Sequence, residues 1–450
     1  MNLYTRIVSG LLFPLHERLK KHDTVKVRKE MEKTQWYRPE EIQKLQLERL
    51  KMFLTDVGRN VPYYQQQFKK QDFSPETIAS LDDLRQLSLT DKPFIRKHFD
   101  QLKAMDANGL SRFNTGGSSG EPLIFYIGKK RVSHDVAAKW RATRWWNVDI
   151  GDPEIVIWGS PIELGAQDKI RLIRDKLLRT QLLPAFEMSV DKVNGFIRQI
   201  QNTRPKMLFG YPSALAHIAM QAKQTGQKLD HFGIKVAFVT SERLYSHQRE
   251  MIEHVFACPV ANGYGGRDAG FIAHECPEGG MHITAEDIIV EIIDKDGKPL
   301  PVGEVGEITI THLATRDFPF IRYRTGDIGA LSIEQCPCGR GLPLLKEIQG
   351  RTTDFVVSED GTIIHGLALI YVLRDMKGVE SFKIIQQDLK HTLVQVVAEK
   401  EFDIELSKQK ISTEFKKRLG QGVQIDIEFV EEIMKEKSGK FRYVISHVKP

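Results

Sequence analysis

Between Phe113 and Pro122 the chain reads Phe-Asn-Thr-Gly-Gly-Ser-Ser-Gly-Glu-Pro. The six positions from Thr115 hold three glycines and three hydroxyl residues, a poor composition for helix or strand. It suits a loop whose backbone amides turn inward on an anion. Thr115, Gly116, Gly117, Ser118, Ser119 and Gly120 are therefore candidate phosphate ligands. The loop of the common nucleotide-hydrolysing folds closes with Gly-Lys-Ser/Thr; this one closes with Gly-Glu-Pro, so its cation must come from elsewhere in the chain. The competing reading is a flexible Gly/Ser linker.

Four later stretches supply what the loop lacks. Gly263-Tyr264-Gly265-Gly266-Arg267-Asp268 follows an apolar run and offers an aromatic face for a purine and a carboxylate for magnesium. Tyr323-Arg324-Thr325-Gly326-Asp327 offers a carboxylate for ribose hydroxyls. Arg351 follows Gly350, and Lys440 follows a Ser438-Gly439 hinge. Each has an ordinary alternative: Tyr264 as core, Asp327 as a turn residue, Lys440 as a solvated tail. Their order behind the loop is what joins them.

Cys276-Pro-Glu-Gly-Gly-Met-His282 and Cys336-Pro-Cys338-Gly flank a stretch that reads as a hairpin. Three thiolates and an imidazole complete a tetrahedral zinc shell with no open position, the signature of a structural ion. Cys276, His282, Cys336 and Cys338 are the expected ligands, with His274 as a substitute for His282 and Cys258 outside the set. The other reading is ordinary buried cysteines.

Taken together, Asn114 to Pro122, Thr240 to Leu244, Gly263 to Cys276, Ile321 to Ile328, Cys336 to Arg340, Gly350 to Phe355 and Ser438 to Tyr443 resemble the adenylate-forming superfamily of acyl-CoA synthetases, adenylation domains and luciferases. The resemblance runs from about Gln46 onward. It is closer to the phenylacetate-coenzyme A ligase branch, and within it to the subgroup labelled for capsular polysaccharide biosynthesis, CapK. It implies that Thr115, Ser118, Ser119 and Gly120 hold the β- and γ-phosphates of ATP, that Tyr264 beside Gly265 lies against adenine, and that Asp268 takes the magnesium-linked position. It further implies that Asp327 grips the ribose, Arg351 contacts ribose or phosphate, and Lys440 reaches the α-phosphate and the attacking carboxylate. Two positions depart from the pattern: Asp268 stands where most relatives have Glu, and Thr353 stands at the family's hinge acid. By position, Trp158, Gly159, Phe209, Tyr211, Ser241 and Gly263 line the acyl pocket and suit a small aromatic or otherwise planar acid.

These residues need a scaffold. Between Pro153 and Gly265 short apolar strands alternate with helices, the pattern of a mostly parallel sheet covered on both faces, with ligands beyond the strand carboxyl ends. From Asp287 the texture becomes antiparallel, and from Gly350 a small α+β unit follows. The expected fold is α/β: a large domain over residues 1–349, with a helical leader over 1–100, stacked mixed and parallel sheets and a small antiparallel barrel-like part. A smaller mobile α+β domain over 350–450 completes it.

The charge balance, 65 Lys and Arg against 59 Asp and Glu for a net +6, gives no general argument for nucleic acid. No apolar run approaches the roughly 20 residues of a bilayer span, and the cysteine usage suits a reducing cytoplasm. The apolar Ile7 to Leu15 followed by Arg18, Lys20 and Lys21 is read as a helix packed on the main domain, with contact to an anionic membrane surface as the alternative. The expected activity is AMP-forming ligation of a carboxylic acid to coenzyme A with ATP, magnesium and a structural zinc. The alternatives are transfer to an amine in surface polysaccharide synthesis, transfer of AMP to a coenzyme, or a noncatalytic nucleotide-binding scaffold.

Overall fold

The helical leader begins with α1 (Leu3–Ile7), a π turn (Val8–Leu12) and α2 (Phe13–Leu19), followed by α3 (Thr24–Thr34), α4 (Pro39–Asn60), α5 (Pro62–Lys70) and α6 (Lys92–Lys97) in this computed structural model. Described are residues 2–115, 123–158, 169–185, 187–349, 355–374, 376, 378–399, 403–433 and 443–448. Helix α4 shows why the leader is helical. Pro39 opens it where no amide is needed, Glu41 reaches back to the Arg38 amide at 2.9 Å, and Ile42, Gln46, Leu50, Phe53, Leu54 and Val57 form the buried stripe. The stretch ends at Asn60-Val61-Pro62 as the sequence suggests, since Pro62 cannot continue the hydrogen-bond ladder, and α5 starts there as a separate helix. The N-terminal helix packs one side on the main body: Thr5 donates to Asp152 at 2.8 Å and Phe13 meets the Trp140 ring edge-on at 5.1 Å.

Strands β1 (Ser111–Asn114) and β2 (Ile124–Ile127) form an antiparallel pair, and α7 (Lys129–Trp145) follows. The α/β body comprises β3 (Glu154–Trp158), α8 (Lys169–Leu178), β4 (Thr180–Pro184), β5 (Glu187–Met188), α9 (Val190–Thr203), β6 (Met207–Gly210), α10 (Pro212–Gln224), β7 (Val236–Thr240), α11 (Ser246–Phe256) and β8 (Val260–Gly266). Next come β9 (Gly270–Glu275), β10 (Met281–Ile283), β11 (Ile288–Ile293), β12 (Gly306–His312), β13 (Tyr323–Leu331) and β14 (Leu344–Gln349).

One eleven-stranded sheet holds most of these in the order β11-β12-β13-β14-β10-β9-β8-β7-β6-β3-β4. Strands β3, β4, β6, β7 and β8 pair in parallel, while β8 pairs antiparallel with β9. All of β6 and β7 is buried, as continuous apolar runs in a doubly covered sheet should be. Edge strand β4 was not expected, since Thr180, Gln181 and Pro184 are only an edge's worth of β signal.

The C-terminal unit contains β15 (Phe355–Val357), β16 (Ile363–His365), α12 (Leu367–Arg374), β17 (Val379–Gln386), β18 (His391–Ala398), α13 (Ile404–Leu419), β19 (Gln424–Phe429) and β20 (Val444–Ser446). Its four-stranded sheet runs β19-β18-β17-β20, and its core joins Val356, Leu369, Phe382, Val394, Phe415 and Val444. The hairpin β15–β16 turns at Asp360-Gly361 as its sequence implies. It does not join that sheet, however: β16 pairs with β5 of the large body, Ile363 opposite Met188 and Ile364 opposite Glu187.

Beneath the large sheet lies a fully buried ion pair. Arg141 on α7 donates to Glu286 at 2.5 Å with both side chains at 0% exposure, and Thr34 of α3 donates to the same carboxylate oxygen at 2.9 Å. Removing one partner leaves a buried charge uncompensated. Glu286→Ala should therefore cost about 3–5 kcal/mol in urea unfolding, whereas the double change Arg141→Met with Glu286→Leu should cost distinctly less. A Glu286→Ala loss below about 1 kcal/mol would show that the pair does not hold α7 to α3.

Candidate functional site

Strand β8 is where the large sheet changes from parallel to antiparallel pairing, and its carboxyl end opens on a cleft. Ser241, Glu242, Arg243, Leu244, Asn262, Gly263, Tyr264, Gly265, Asp327 and Ile348 line a cavity of about 80 Å³. Tyr264 and Asp327, 63 residues apart, meet through a hydrogen bond from the Tyr264 hydroxyl to Asp327 Oδ2 at 3.0 Å. Gly265 is required by close approach, because a Cβ there would lie 2.2 Å from the Gly270 carbonyl oxygen. Ser241, at the turn after β7, holds φ +72°, a left-handed conformation that side-chain-bearing residues adopt at a cost and mostly at sites.

The Asp268 carboxylate is fastened on both oxygens. Oδ2 accepts the Tyr323 hydroxyl at 2.7 Å and Oδ1 accepts the Ala269 amide at 3.1 Å. Below it, the buried Arg131 of α7 donates to the carbonyls of Arg267 and Asp268, each at 3.3 Å, and to Asp135 at 2.7 Å. Arg267 donates to the Asn114 carbonyl at 3.4 Å, which ties this turn to the flank of the glycine-rich loop. The loop's two ends are pinned together, since Thr115 and Leu123 share a backbone hydrogen bond at 3.0 Å and the Leu123 amide donates to Thr115 Oγ1 at 2.9 Å.

Tyr264, Gly265 and Asp327 thus line one cleft, and the neighbouring Asp268 turn is tied through Arg267 to Asn114, next to Thr115. Gly116, Gly117, Ser118, Ser119, Gly120, Gly159, Arg351, Thr353 and Lys440 lie outside the described residues. Of the residues expected at an acyl pocket, Trp158 stacks on Tyr211 at 4.4 Å and on Phe209 at 6.0 Å, while Ser241 and Gly263 line the cleft itself. Lys139 of α7 places its ammonium 3.8 Å above the Phe209 ring. Sequence reasoning missed Arg131, Tyr323 and Lys139 as contributors. Tyr323 carried a signal, as the residue that opens the motif ending in Asp327.

The Asp268 turn rests on a buried histidine as well. His312 Nδ1 accepts the Ala314 amide at 3.3 Å and Nε2 faces Asp135 at 3.7 Å. Burial, with Arg131 acting in the same direction, pushes the His312 imidazole down to about 4 against the opposing pull of Asp135. Nearby Asp287 would be raised by burial alone, but His134 at 2.6 Å and Arg49 at 3.1 Å hold it at about 2.

Behind the cleft, Cys276, His282, Cys336 and Cys338 bring four ligand atoms within 4.8 Å of one another. Cys276 and Cys336 sulfurs are 3.5 Å apart, and Cys338 Sγ is 3.2 Å from His282 Nε2. These separations fit the edges of a zinc tetrahedron, about 3.7 Å for Zn–S bonds of about 2.3 Å. His282 Nδ1 faces the Leu342 carbonyl at 3.3 Å, which sets the tautomer that leaves Nε2 for a metal. His274 does not substitute: it lies between the Phe238 and Phe271 rings, at 5.8 and 5.6 Å. Cys258 is buried outside the set, as expected. The knuckle also docks on the leader, because the Gly341 amide donates to the Gln35 carbonyl at 3.1 Å and Trp145 donates to the Gln35 side chain at 2.8 Å.

With this geometry in hand, known proteins supply the comparison. Residues 356–447 match the CapK C-terminal domain model. Protein CapK of Staphylococcus aureus is 26% identical over 418 residues, spanning 90% of this chain and 89% of its own. A phenylacetate-coenzyme A ligase of Thermus thermophilus is 26% identical over 337 residues, 71% of this chain and 72% of its own. The chain is thus similar in sequence to CapK over most of its length and to phenylacetate-coenzyme A ligases over about 71% of it. Its fold agrees: a crystal structure of 2-hydroxyisobutyryl-CoA ligase in complex with 2-HIB-AMP and CoA superposes with a TM-score of 0.64 at 21% identity, covering 90% of each chain.

Two outcomes follow for this chain. Replacing Cys336 and Cys338 by Ser should remove about one bound zinc per chain by elemental analysis and lower the melting temperature; unchanged zinc content would reject the site. Because the folded His312 is depressed from 6.5, its contribution is complete above the unfolded value and is lost as pH falls toward about 4. By pH 5 the loss amounts to about 2 kcal/mol. His312→Asn, which keeps an acceptor for the Ala314 amide, should flatten the stability profile between pH 7 and 5, measured by urea unfolding at each pH. An unaltered profile would remove His312 as the cause.

Proposed function

We propose that this chain activates a carboxylic acid with ATP, forming an acyl-adenylate and pyrophosphate, and passes the acyl group to coenzyme A. The observation that carries the reading is the meeting of Tyr264, Asp327 and the Asp268 turn beside the pinned ends of the glycine-rich loop. Tyr264 offers a ring face to adenine, Asp327 accepts from ribose hydroxyls, and the loop from Thr115 to Gly120 receives the β- and γ-phosphates. The Asp268 carboxylate keeps lone pairs on both oxygens, and one carboxylate with substrate phosphates is how proteins usually hold magnesium. Bound there, magnesium would offset charge on the α-phosphate while it is attacked.

Lys440 supplies the ammonium that the loop lacks, and Arg351 a second cation on ribose or phosphate. Removing such a contact typically costs about 10²–10³ in rate. The acid lies on the shelf of Trp158, Phe209 and Tyr211 with Gly159, Ser241 and Gly263, which suits a planar acyl group. The domain division at residue 350 lets the C-terminal unit close over the first half-reaction and move for the second. Zinc, held by Cys276, His282, Cys336 and Cys338, is structural in this scheme.

A second reading, transfer to an amine, is favoured by one observation: the match over 356–447 is to CapK, and the T. thermophilus phenylacetate-coenzyme A ligase aligns with only 71% of the chain. ATP–pyrophosphate exchange over a panel of acids, followed by trapping with coenzyme A or amines, separates the two. Lys440→Ala should abolish exchange while leaving thioester formation from a synthetic acyl-adenylate largely intact. Equal loss in both half-reactions would take Lys440 out of the adenylation step, and no exchange with any acid in ATP-binding protein would favour a scaffold.

A further inference from the structure

The N-terminal helix has a second side that nothing among the described residues covers. Leu3, Ile7, Leu11, Leu15 and Leu19 are 72, 43, 62, 52 and 76% exposed, with Leu12 beside them. In an α-helix of about 3.6 residues per turn, a repeat of four drifts steadily around the axis. The π turn from Val8 to Leu12 takes in more residues per turn and so counteracts that drift, keeping the leucines on one face. The buried side of the same helix, Thr5, Val8, Phe13 and Glu17, is the one that packs on the body.

Helix α8 extends the apolar face. Leu172, Ile173 and Leu177 are 52, 62 and 49% exposed. The two helices are neighbours, since the Tyr4 hydroxyl donates to the Leu177 carbonyl at 2.9 Å and Arg179 covers the Tyr4 ring at 4.0 Å. Around these side chains stand the exposed Arg6, Arg18, Lys20, Lys21 and Lys176. The acids of both helices are spent: Glu17 is buried against Thr24, His16 and His22, and Asp175 is paired with Arg174 at 2.5 Å. No described helix is long and apolar enough to cross a membrane.

We infer that α1, the π turn, α2 and α8 form a docking surface for an anionic lipid bilayer, on which the protein lies without spanning it. Apolar side chains on one plane with a basic rim are what the headgroup boundary accepts. A second copy of the chain would bring the same basic rim against itself, because a two-fold interface apposes identical patches. The inference is independent of the catalytic reading.

The test is flotation of the full chain with vesicles of phosphatidylcholine alone or of phosphatidylcholine and phosphatidylglycerol in equal parts. Binding is expected to the second kind only, weakening with salt. The variant Leu11→Ser/Leu15→Ser/Ile173→Ser and the variant Arg18→Gln/Lys20→Gln/Lys176→Gln should each reduce it about tenfold or more, with wild-type melting temperatures showing that the fold is kept. Failure of the wild type to float with the mixed vesicles, or equal flotation of folded variants, would overturn the inference. So would a wild-type dimer in analytical ultracentrifugation that the leucine variant converts to monomer, since the face would then belong to a second copy.

Discussion

The site depends on one constraint, the reversal of pairing at β8. Its Gly263 pairs with Thr240 of parallel β7 on one edge and with His274 of antiparallel β9 on the other. The reversal leaves the carboxyl end of β8 uncovered, and the chain must turn back within a few residues from Gly266 to Gly270. Backbone is packed on backbone at Gly265, so no larger residue fits, and Tyr264 and Asp268 are delivered to the same edge. Ligand sites in open α/β sheets form where strand order or direction switches, and here the switch and the motif coincide.

Around that edge the structure is reinforced from below. Arg131, Asp135 and His312 form a polar platform under the Asp268 turn, and the cysteine knuckle sits at the ends of β9, which pairs with the strand of Tyr264, and of β13, which carries Asp327. Cys276 ends the run of β9, and Cys336 and Cys338 follow β13. A bound ion there would clamp both strands at their far ends while the leader, through Gln35, closes over the clamp. Tyr264, Asp268 and Asp327 thus rest on buried charge, and an ion at the knuckle would add a second hold to the strands beside them.

Much of this was legible in the sequence, for physical reasons that also explain what was not. Strands such as Val236–Thr240 are buried on both faces and so read as continuous apolar runs, and helix Ser246–Phe256 shows its periodicity openly. Tyr264 and Asp327 could be named because glycines, whose backbone freedom a site needs, stand beside them. Arg131 could not: a basic residue early in a helix reads as solvated, and besides Asp135 its partners are the carbonyls of Arg267 and Asp268, more than a hundred residues away. Strand β5 is two residues long and pairs with a segment some 175 residues later, so no local pattern announces it. Pro62 marks the break after Asn60 openly, because proline cannot donate to the helix ladder.

That short pairing has its own consequence. The seam between β5 and β16 involves two residue pairs, and each net backbone hydrogen bond is worth about 0.5–1.5 kcal/mol. The core on the far side, built from Val356 through Val444, is closed on itself. Parting the two bodies along this line would therefore expose little apolar surface at the ladder and unfold neither. Among the described strands, the C-terminal unit thus joins the large body through this one short ladder, while its apolar core lies wholly within residues 356–444.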